Sequence, residues 1–276
     1  MVAIGQFNQL EIVKDSDVGV FLDGGDFGQI LLPQRFVKDQ AQLGDNLTVF
    51  IYLDSDDRLI ATTDTPHACE GDFAWLKVVE INKVGAFLDW GLPKDLLLPF
   101  AQQKFPPVEG KRVLVKVYLD NSNRLAASSR IDKYLKEETT GYTVGQEVDL
   151  MVADKTELGF KAIVDSAYWG MLYSNEVFQP LNKGDRISGY VKRVRDDNRL
   201  DITLTQPGYE KISGVAGQIL EVLKEHDGYL MITDKSSPET IRSVFKISKK
   251  VYKKAIGALY KQRRIAIEEK GIRLLG

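Results

Sequence analysis

Residues 119–129 read LDNSNRLAASS, and nearly the same phrase occurs three times in this chain of 276 residues. The other two copies are LDSDDRLIATT, which starts at Leu53, and VRDDNRLDITL, which starts at Val194. In each copy a cluster of Asp, Asn and Ser residues separates two apolar segments. Such clusters favour tight turns, so each copy predicts the end of a β-hairpin. Because an internal repeat determines the domain architecture, it is the first feature to interpret.

Each phrase closes a longer unit whose internal spacing is constant. An apolar segment with a glycine opens the unit, as in VGVFLD, VGAFLD and LGFKAIVD. A second glycine follows 25 residues later in every copy, which gives the pairs Gly19 and Gly44, Gly85 and Gly110, and Gly159 and Gly184. The arginine of the RL dipeptide then follows after 14, 14 and 15 residues. This spacing predicts three repeat units, at 1–66, 67–140 and 141–207.

The pattern within a unit is that of a small barrel. Runs such as LTVFIYLD and RVLVKVYLD are rich in β-branched and aromatic residues, which favour strands. About five short strands in a unit of this length suit a closed Greek-key barrel, which hides its sheet edges. The repeated glycines then permit sharp strand bends where a Cβ atom would clash.

The apolar period changes after residue 207, from two to about 3.6 residues. Residues 208–276 have the patterns of a helix, a strand, two helices and a hairpin, in that order, which is the order of a winged helix. Residues 205–214 are predicted to be a linker, and Asp227 to mark the end of the first helix. Ser237 and Ser248 are predicted N-caps of the second and third helices. The predicted fold is mostly β, with three tandem OB-fold barrels and a small α+β C-terminal domain.

The order xGxFL, GxxLLP, GD and VxVxxxDxxxRL resembles the S1 RNA-binding domain, a variant of the OB fold. Three such units before a small basic helical domain resemble, along the whole chain, the bacterial S1-containing RNA-binding proteins of the conserved virulence factor B-like family. The resemblance implies tandem S1 barrels, RNA binding and a role in the control of gene expression, including virulence genes in some species.

The resemblance also implies positions for the RNA-binding side chains. Aromatic residues on the second and third strands stack on bases in such domains, and a polar pair at a strand end holds the backbone. Phe21 and Phe87 match a stacking aromatic, although a Phe beside a bend glycine is often a core residue. Arg58 and Arg124, each four residues after an aspartate, match the strand-end arginine. These four residues are secondary RNA-binding candidates.

The third unit departs from the pattern and carries the main candidates. The position where the family often has histidine matches Leu31 and Leu97 in the first two units, and Tyr173 in the third. At the strand-end spacing the third unit has two arginines in place of the Asp–Arg pair. Its predicted RNA-binding residues are Tyr168, Trp169, Tyr173, Lys192, Arg193, Arg195 and Arg199.

The formal net charge of −2 conceals a strong asymmetry. The first unit has 4 Lys and Arg against 11 Asp and Glu, whereas residues 208–276 have 14 against 8. The second unit has 11 basic and 10 acidic residues, and the third has 8 basic and 10 acidic residues. A net charge of −7 opposes binding to a polyanion. We therefore expect the third unit and the winged helix to contact nucleic acid, and the first unit to be a spacer or a protein-contact module.

The last predicted helix separates its cations from its apolar residues at about 100° per residue. Its apolar face includes Val251, Tyr252, Ala255 and Leu259, and no acidic residue occurs between 249 and 264. The opposite face carries five predicted RNA-binding residues: Lys250, Lys253, Lys254, Lys261 and Arg264. A solvated lysine face is the simpler alternative, but the absence of acidic residues favours a surface that faces phosphate.

Other classes of function have little support in the sequence. The chain lacks the P-loop, zinc-protease and Rossmann motifs, so we expect no enzyme, no cofactor and no metal site. The N-terminus does not resemble a signal peptide, and no apolar run reaches the length of a membrane span. A single cysteine, Cys69, suits a reducing cytoplasm, which is the expected location.

The favoured hypothesis is a post-transcriptional regulator that binds single-stranded RNA through the third barrel and the winged helix. A DNA-binding regulator, with the barrels as protein-interaction modules, is the alternative. A nuclease or ribosome-associated factor is a third hypothesis. The expected partner is RNA, with DNA as the alternative nucleic acid, a protein partner at the first barrel, and no membrane.

Overall fold

The computed structural model of the chain contains three closed five-stranded barrels, followed by three helices and a three-stranded sheet. It describes all residues except 38–40, 137, 138, 140, 178, 198, 206–211 and 276. The predicted fold class, mostly β with a small α+β C-terminal domain, is confirmed. The predicted boundary between 207 and 208 lies outside the described residues, as does residue 140 at the previous boundary, so the domain limits stay a prediction.

The three barrels have the same strand order. Barrel 1 contains β1 to β5, at Phe7–Ser16, Gly19–Asp23, Gln29–Pro33, Asn46–Leu53 and Leu59–Thr62. Barrel 2 contains β6 to β10, at Phe73–Asn82, Gly85–Asp89, Leu96–Pro99, Arg112–Leu119 and Leu125–Ser128. Barrel 3 contains β11 to β15, at Glu147–Thr156, Gly159–Val164, Tyr168–Tyr173, Arg186–Val194 and Leu200–Thr203. In each barrel the first strand pairs with the second and the fourth, and a parallel pairing of the third and fifth strands completes the closed sheet.

The repeated glycines occupy equivalent places in the three barrels. A Cβ atom on the first glycine of each pair would lie 2.2, 2.4 and 2.0 Å from a carbonyl oxygen of the next strand, at Gly19, Gly85 and Gly159 respectively. These glycines therefore allow two strands to approach closely. The second glycine has φ of 90°, 77° and 90° at Gly44, Gly110 and Gly184, in the turn before the fourth strand. A left-handed backbone at this turn explains why glycine is repeated there.

Barrels 1 and 2 form one compact unit, residues 1–135, and side chains of the two barrels pack against each other. Phe50 and Tyr52 of β4 pack against Trp90, which follows β7, with ring centroids 5.8 and 6.4 Å apart. The Lys94 ammonium group donates a 2.6 Å hydrogen bond to the backbone oxygen of Asp54. Barrel 1 is thus bound to barrel 2 by a shared apolar core with polar contacts beside it.

The second compact unit, residues 136–276, contains barrel 3 and the winged helix. The winged helix comprises α1 to α3 at Ile212–Glu225, Pro238–Phe245 and Lys249–Lys261, and β16 to β18 at Tyr229–Leu230, Ile265–Ile267 and Ile272–Leu274. Both predicted caps are confirmed, since the hydroxyl of Ser237 accepts from the amide of Thr240 and that of Ser248 accepts from the amide of Val251.

The first helix differs in part from its prediction. It begins at Ile212, inside the segment 205–214 for which the sequence predicts a linker. Ala216 at this end is buried in the winged-helix core, so tertiary packing extends the helix beyond its sequence signals. The helix ends at Glu225, before Asp227 with φ of 52°, as the sequence predicts.

Candidate nucleic-acid interface

Successive residues of β13 in barrel 3 point to opposite sides of the sheet. Trp169, Met171 and Tyr173 are half-buried and lie on the outer face. Tyr168 is 8% exposed, belongs to the barrel core and packs edge to face against Tyr142, with ring centroids 5.4 Å apart. The prediction that Tyr168 contacts RNA is therefore wrong, because neither face of its ring is open for a base.

The strand register also corrects the position of Tyr173. Gly159 pairs with Tyr173, just as Gly19 pairs with Pro33 in barrel 1. The residues at the position of the family's histidine are therefore Leu31, Leu97 and Met171. The sequence motif misplaces this position by two residues. The repeated glycine faces the residue 14 positions later in all three barrels, so the position in question lies 12 residues after the glycine each time.

A concave site of about 190 Å³ lies on this outer face of barrel 3. It is lined by Lys161, Trp169, Gly170, Met171, Arg195, Arg199 and Leu200. The Lys161 ammonium group lies 3.6 Å from the centroid of the Trp169 ring, in a cation–π contact. By register, Lys161 occupies the place that Phe21 and Phe87 have in the first two barrels. Barrel 3 therefore has a cation at that position and carries a half-buried aromatic ring, Trp169, on the next strand.

Arg195 is held at one side of this site by a buried carboxylate. Its Nε and Nη2 atoms donate to Oδ1 of Asp201 at 2.8 and 2.6 Å, and Nη2 also donates to the hydroxyl oxygen of Tyr173. Asp201 is 8% exposed, so the ion pair is largely shielded from water. The hydrogen bonds to Asp201 raise the pKa of Arg195 above its ordinary value. The guanidinium group is thereby fixed in place, and the Tyr173 hydroxyl is fixed with it.

The extra residue in the third repeat forms a β-bulge in β14. The pairing of β14 with β15 shifts between Val191 and Arg193, and Lys192 lies between them. The equivalent hairpins of barrels 1 and 2 pair without such a shift. The Lys192 ammonium group lies 5.9 Å from the centroid of the Tyr173 ring and 2.5 Å from a carboxylate oxygen of Glu176. A bulge re-aims the neighbouring side chains, and here it brings a cation beside an aromatic ring.

The secondary candidates of barrels 1 and 2 are on the surface. Phe21 and Phe87 are half-buried on the outer faces and are not members of the barrel cores. Arg58 is mainly exposed and donates to Asp54 from Nε at 3.0 Å and from Nη2 at 2.9 Å. Burial raises the pKa of Asp54, but hydrogen bonds from the backbone and side chain of Arg58 outweigh it and hold that pKa below its ordinary value.

Arg124 has a different partner from its equivalent in barrel 1. Its Nη2 atom donates to the carboxylate of Asp57, in the turn between β4 and β5. The two side chains are 53% and 44% exposed. The strand-end arginine of barrel 2 is therefore paired with an acidic residue of barrel 1, in addition to the apolar contact between the two barrels.

The α3 helix has the two faces that the sequence predicts. Tyr252, Ala255, Ile256 and Leu259 are buried, and Phe245 of α2 stacks on Tyr252 with ring centroids 5.0 Å apart. The five predicted cations are all exposed, but α3 ends at Lys261, so Arg264 lies in the turn after the helix and four of these cations lie on the helix itself: Lys250, Lys253, Lys254 and Lys261. Asp234 lies beside this face, with a carboxylate oxygen 3.3 Å from the Lys253 ammonium group. The face is therefore cationic and accessible, with the Asp234 carboxylate beside Lys253.

Lys161 and Met171 line the concave site but do not follow from the sequence motifs, and neither does Asp201, which holds Arg195. A signal for Lys161 is present, since it stands two residues after the repeated glycine, as Phe21 and Phe87 do. Arg193 is exposed on β14, outside the lining of the concave site.

Over the residues that the structure describes, no cluster of three His, Cys, Asp or Glu side chains could hold a metal ion. No helix in the same part of the chain has the length and apolar character needed to cross a membrane.

Comparison with known proteins identifies the first two barrels and the winged helix. The S1 domain model matches residues 4–64 and 71–130, and the model of the CvfB-like winged helix domain matches residues 217–274. Together these matches cover more than half of the chain.

Relatives extend the similarity along the whole sequence. The chain is 28% identical to YitL of Bacillus subtilis over 271 residues, which cover 95% of this chain and 90% of that protein. It is 26% identical to Conserved virulence factor B of Staphylococcus saprophyticus, over 98% of this chain and 94% of the relative. A solved structure is also similar: the crystal structure of a multidomain protein with nucleic acid binding domains from Streptococcus pneumoniae. Its sequence is 24% identical to this chain, the alignment covers 99% of this chain and 98% of that chain, and the TM-score is 0.43. This chain therefore belongs to the family of proteins that join S1 domains to a CvfB-like winged helix domain.

Proposed function

We propose that this chain binds single-stranded RNA through the concave site of barrel 3 and the cationic face of α3. The observation that carries the proposal is the concave site, where a half-exposed indole lies among three cations. An aromatic platform beside positive charge is the arrangement that binds unpaired bases and their phosphates.

Energetics favour replacement of the internal cation–π contact by a base. Base stacking on an aromatic side chain contributes about 1–3 kcal/mol. An exposed cation–π contact contributes only about 0.5–1 kcal/mol. Stacking of a base on Trp169 therefore contributes more free energy than the cation–π contact that it replaces, and the Lys161 ammonium group is then beside the phosphates of the same strand.

The winged helix adds a second contact surface. Barrel 3 and the winged helix lie in one compact unit, so a strand bound at one surface has a raised effective concentration at the other. The α3 cations contribute phosphate contacts, which add affinity without base selectivity.

Barrel 1 has a different role in this proposal. Its net charge of −7 opposes RNA binding, and its contacts with Trp90, Lys94 and Arg124 hold barrel 2 in a fixed orientation. We assign to barrel 1 this positioning role and the contact with a protein partner. The chain acts in the bacterial cytoplasm, after transcription and without a catalytic step or cofactor. The regulatory role is part of this proposal, and the name of the relative Conserved virulence factor B links that relative to virulence.

A competition assay tests the proposal. A labelled single-stranded RNA bound to the full chain is challenged with unlabelled single-stranded RNA, duplex RNA and duplex DNA at one stated salt concentration. We expect single-stranded RNA to be the strongest competitor. If duplex DNA is stronger, the chain is a DNA-binding regulator whose barrels serve as protein-interaction modules. Incubation of the RNA with the chain and magnesium, followed by a gel, tests for nuclease activity.

A further inference from the structure

We propose that the concave site of barrel 3 selects guanine, with Trp169 stacked on the base and Arg199 bound to its O6 and N7 atoms. The inference rests on the proposed function and specifies the base that the site prefers. It follows from the donors and acceptors around the site, together with the partners that each cation already has.

The polar side chains that line the site are all hydrogen-bond donors. Lys161, Arg195 and Arg199 have no acceptor atoms, and the other lining side chains are those of Trp169, Met171 and Leu200. Adenine and cytosine place an amino group on the edge that would face these donors. Guanine places two adjacent acceptors, O6 and N7, on one edge, which an arginine fork can bind with two hydrogen bonds.

The two arginines of the site differ in how many donors remain. Arg195 uses its Nε–H and its Nη2 group on Asp201 and Tyr173, so only its Nη1 group is left for a ligand. The side chain of Arg199 is 72% exposed, and its ion pair with Asp197 is long, 3.7 Å between Nε and Oδ2. Arg199 is therefore the residue that can offer two parallel N–H groups, while Arg195 suits a single contact such as a phosphate oxygen.

The backbone places Arg199 beside the aromatic platform. Leu200, the next residue, begins β15 and pairs in parallel with Gly170, which is adjacent to Trp169 on β13. A base stacked on the indole thus has its edge close to the start of β15. Lys161, once displaced from the ring, provides a further phosphate contact on the β12 side.

The test uses the full chain and short oligoadenylates in which only the central nucleotide is varied. Fluorescence anisotropy measures binding with guanine, adenine, cytosine, uracil, inosine or 7-deazaguanine at that position. Guanine is expected to bind at least about fivefold more tightly than adenine, since a bidentate contact discriminates by about 1–3 kcal/mol. Inosine keeps O6 and N7 and should equal guanine, whereas 7-deazaguanine lacks N7 and should fall to the level of adenine.

Arg199→Lys tests whether guanine is selected by the two parallel hydrogen bonds of the guanidinium group or by its positive charge alone. Lysine keeps the positive charge but cannot make the planar two-point contact, so guanine should lose its preference while the salt dependence is unchanged. The matched control is Arg58→Lys, at the same turn position of barrel 1, which should keep the preference. Because Arg199 is exposed, thermal unfolding of the variant should match that of the parent.

Several results would overturn the inference. Three results would each show that Arg199 does not bind the O6–N7 edge of guanine. They are retained guanine preference in Arg199→Lys, equal binding of uracil and guanine, and full affinity for 7-deazaguanine. Equal binding of all the oligonucleotides refutes guanine selection but leaves RNA binding intact. Failure of every oligonucleotide to bind refutes the proposed function itself.

Discussion

Replacement of Trp169 by alanine tests the barrel 3 site, and the adjacent Tyr168 provides a matched control on the opposite side of the sheet. Loss of a stacking ring costs about 1–3 kcal/mol of binding free energy. Base binding also gives up the interaction between Lys161 and the ring, worth about 0.5–1 kcal/mol. We therefore expect a loss of about 1–2 kcal/mol, or roughly fivefold to thirtyfold weaker binding of single-stranded RNA.

The two variants should differ in stability as much as in binding. Trp169 is half-buried on the outer face, so Trp169→Ala should unfold close to the parent. Tyr168→Ala removes a buried ring from the barrel 3 core and should cost about 3–5 kcal/mol of unfolding free energy. Thermal unfolding followed by circular dichroism measures this difference in the full chain.

Anisotropy titrations of labelled RNA at one salt concentration measure the affinities. The matched pair distinguishes weaker RNA binding from a destabilised fold, because only Tyr168→Ala should lower the melting temperature. If Trp169→Ala unfolds like the parent and binds RNA with the parent's affinity, then the concave site is not where bases stack, and our reasoning is refuted.

Three further predictions concern the rest of the chain. Changing Lys250, Lys253 and Lys254 to alanine should reduce the slope of log affinity against log salt by about 2, because each phosphate that is no longer neutralised lowers the slope by roughly 0.7. Titrations at several salt concentrations measure this slope. An unchanged slope together with unchanged affinity would mean that this face is only solvated. Gly257→Ala should raise stability by about 1 kcal/mol, since an added Cβ meets no atom within 4 Å and alanine favours the helix; a lower urea midpoint would contradict this. Trp90→Ala should cost about 3–5 kcal/mol because Trp90 is 2% exposed in the core that barrels 1 and 2 share; denaturant unfolding measures the decrease, and parent-like stability would show that this core contributes little.

The sequence by itself was sufficient for the features that depend on neighbouring residues. The hairpin turns needed residues that tolerate positive φ, and Asp57 and Asn123 adopt 61° and 58° there. The helix starts needed capping hydroxyls, which Ser237 and Ser248 supply. Such requirements act within a few residues, so they leave a readable pattern, and a pattern repeated three times identified the barrels. The cationic face of α3 was predictable for the same reason, since helical geometry fixes the relative direction of its side chains.

Only the tertiary structure decided which residues of barrel 3 share a face. Tyr168 and Trp169 are adjacent in sequence, and the pairing of β13 with its neighbours turns the first into the core and the second outward. The strand register places Met171 beside Lys161, two residues before the position that the sequence motif indicates.

The pairing of Arg124 with Asp57, 67 residues apart, and the contact of Trp90 with Phe50 also depend on the tertiary structure. These contacts join surfaces of different barrels. Their partners are chosen by packing and strand register, which no local propensity encodes.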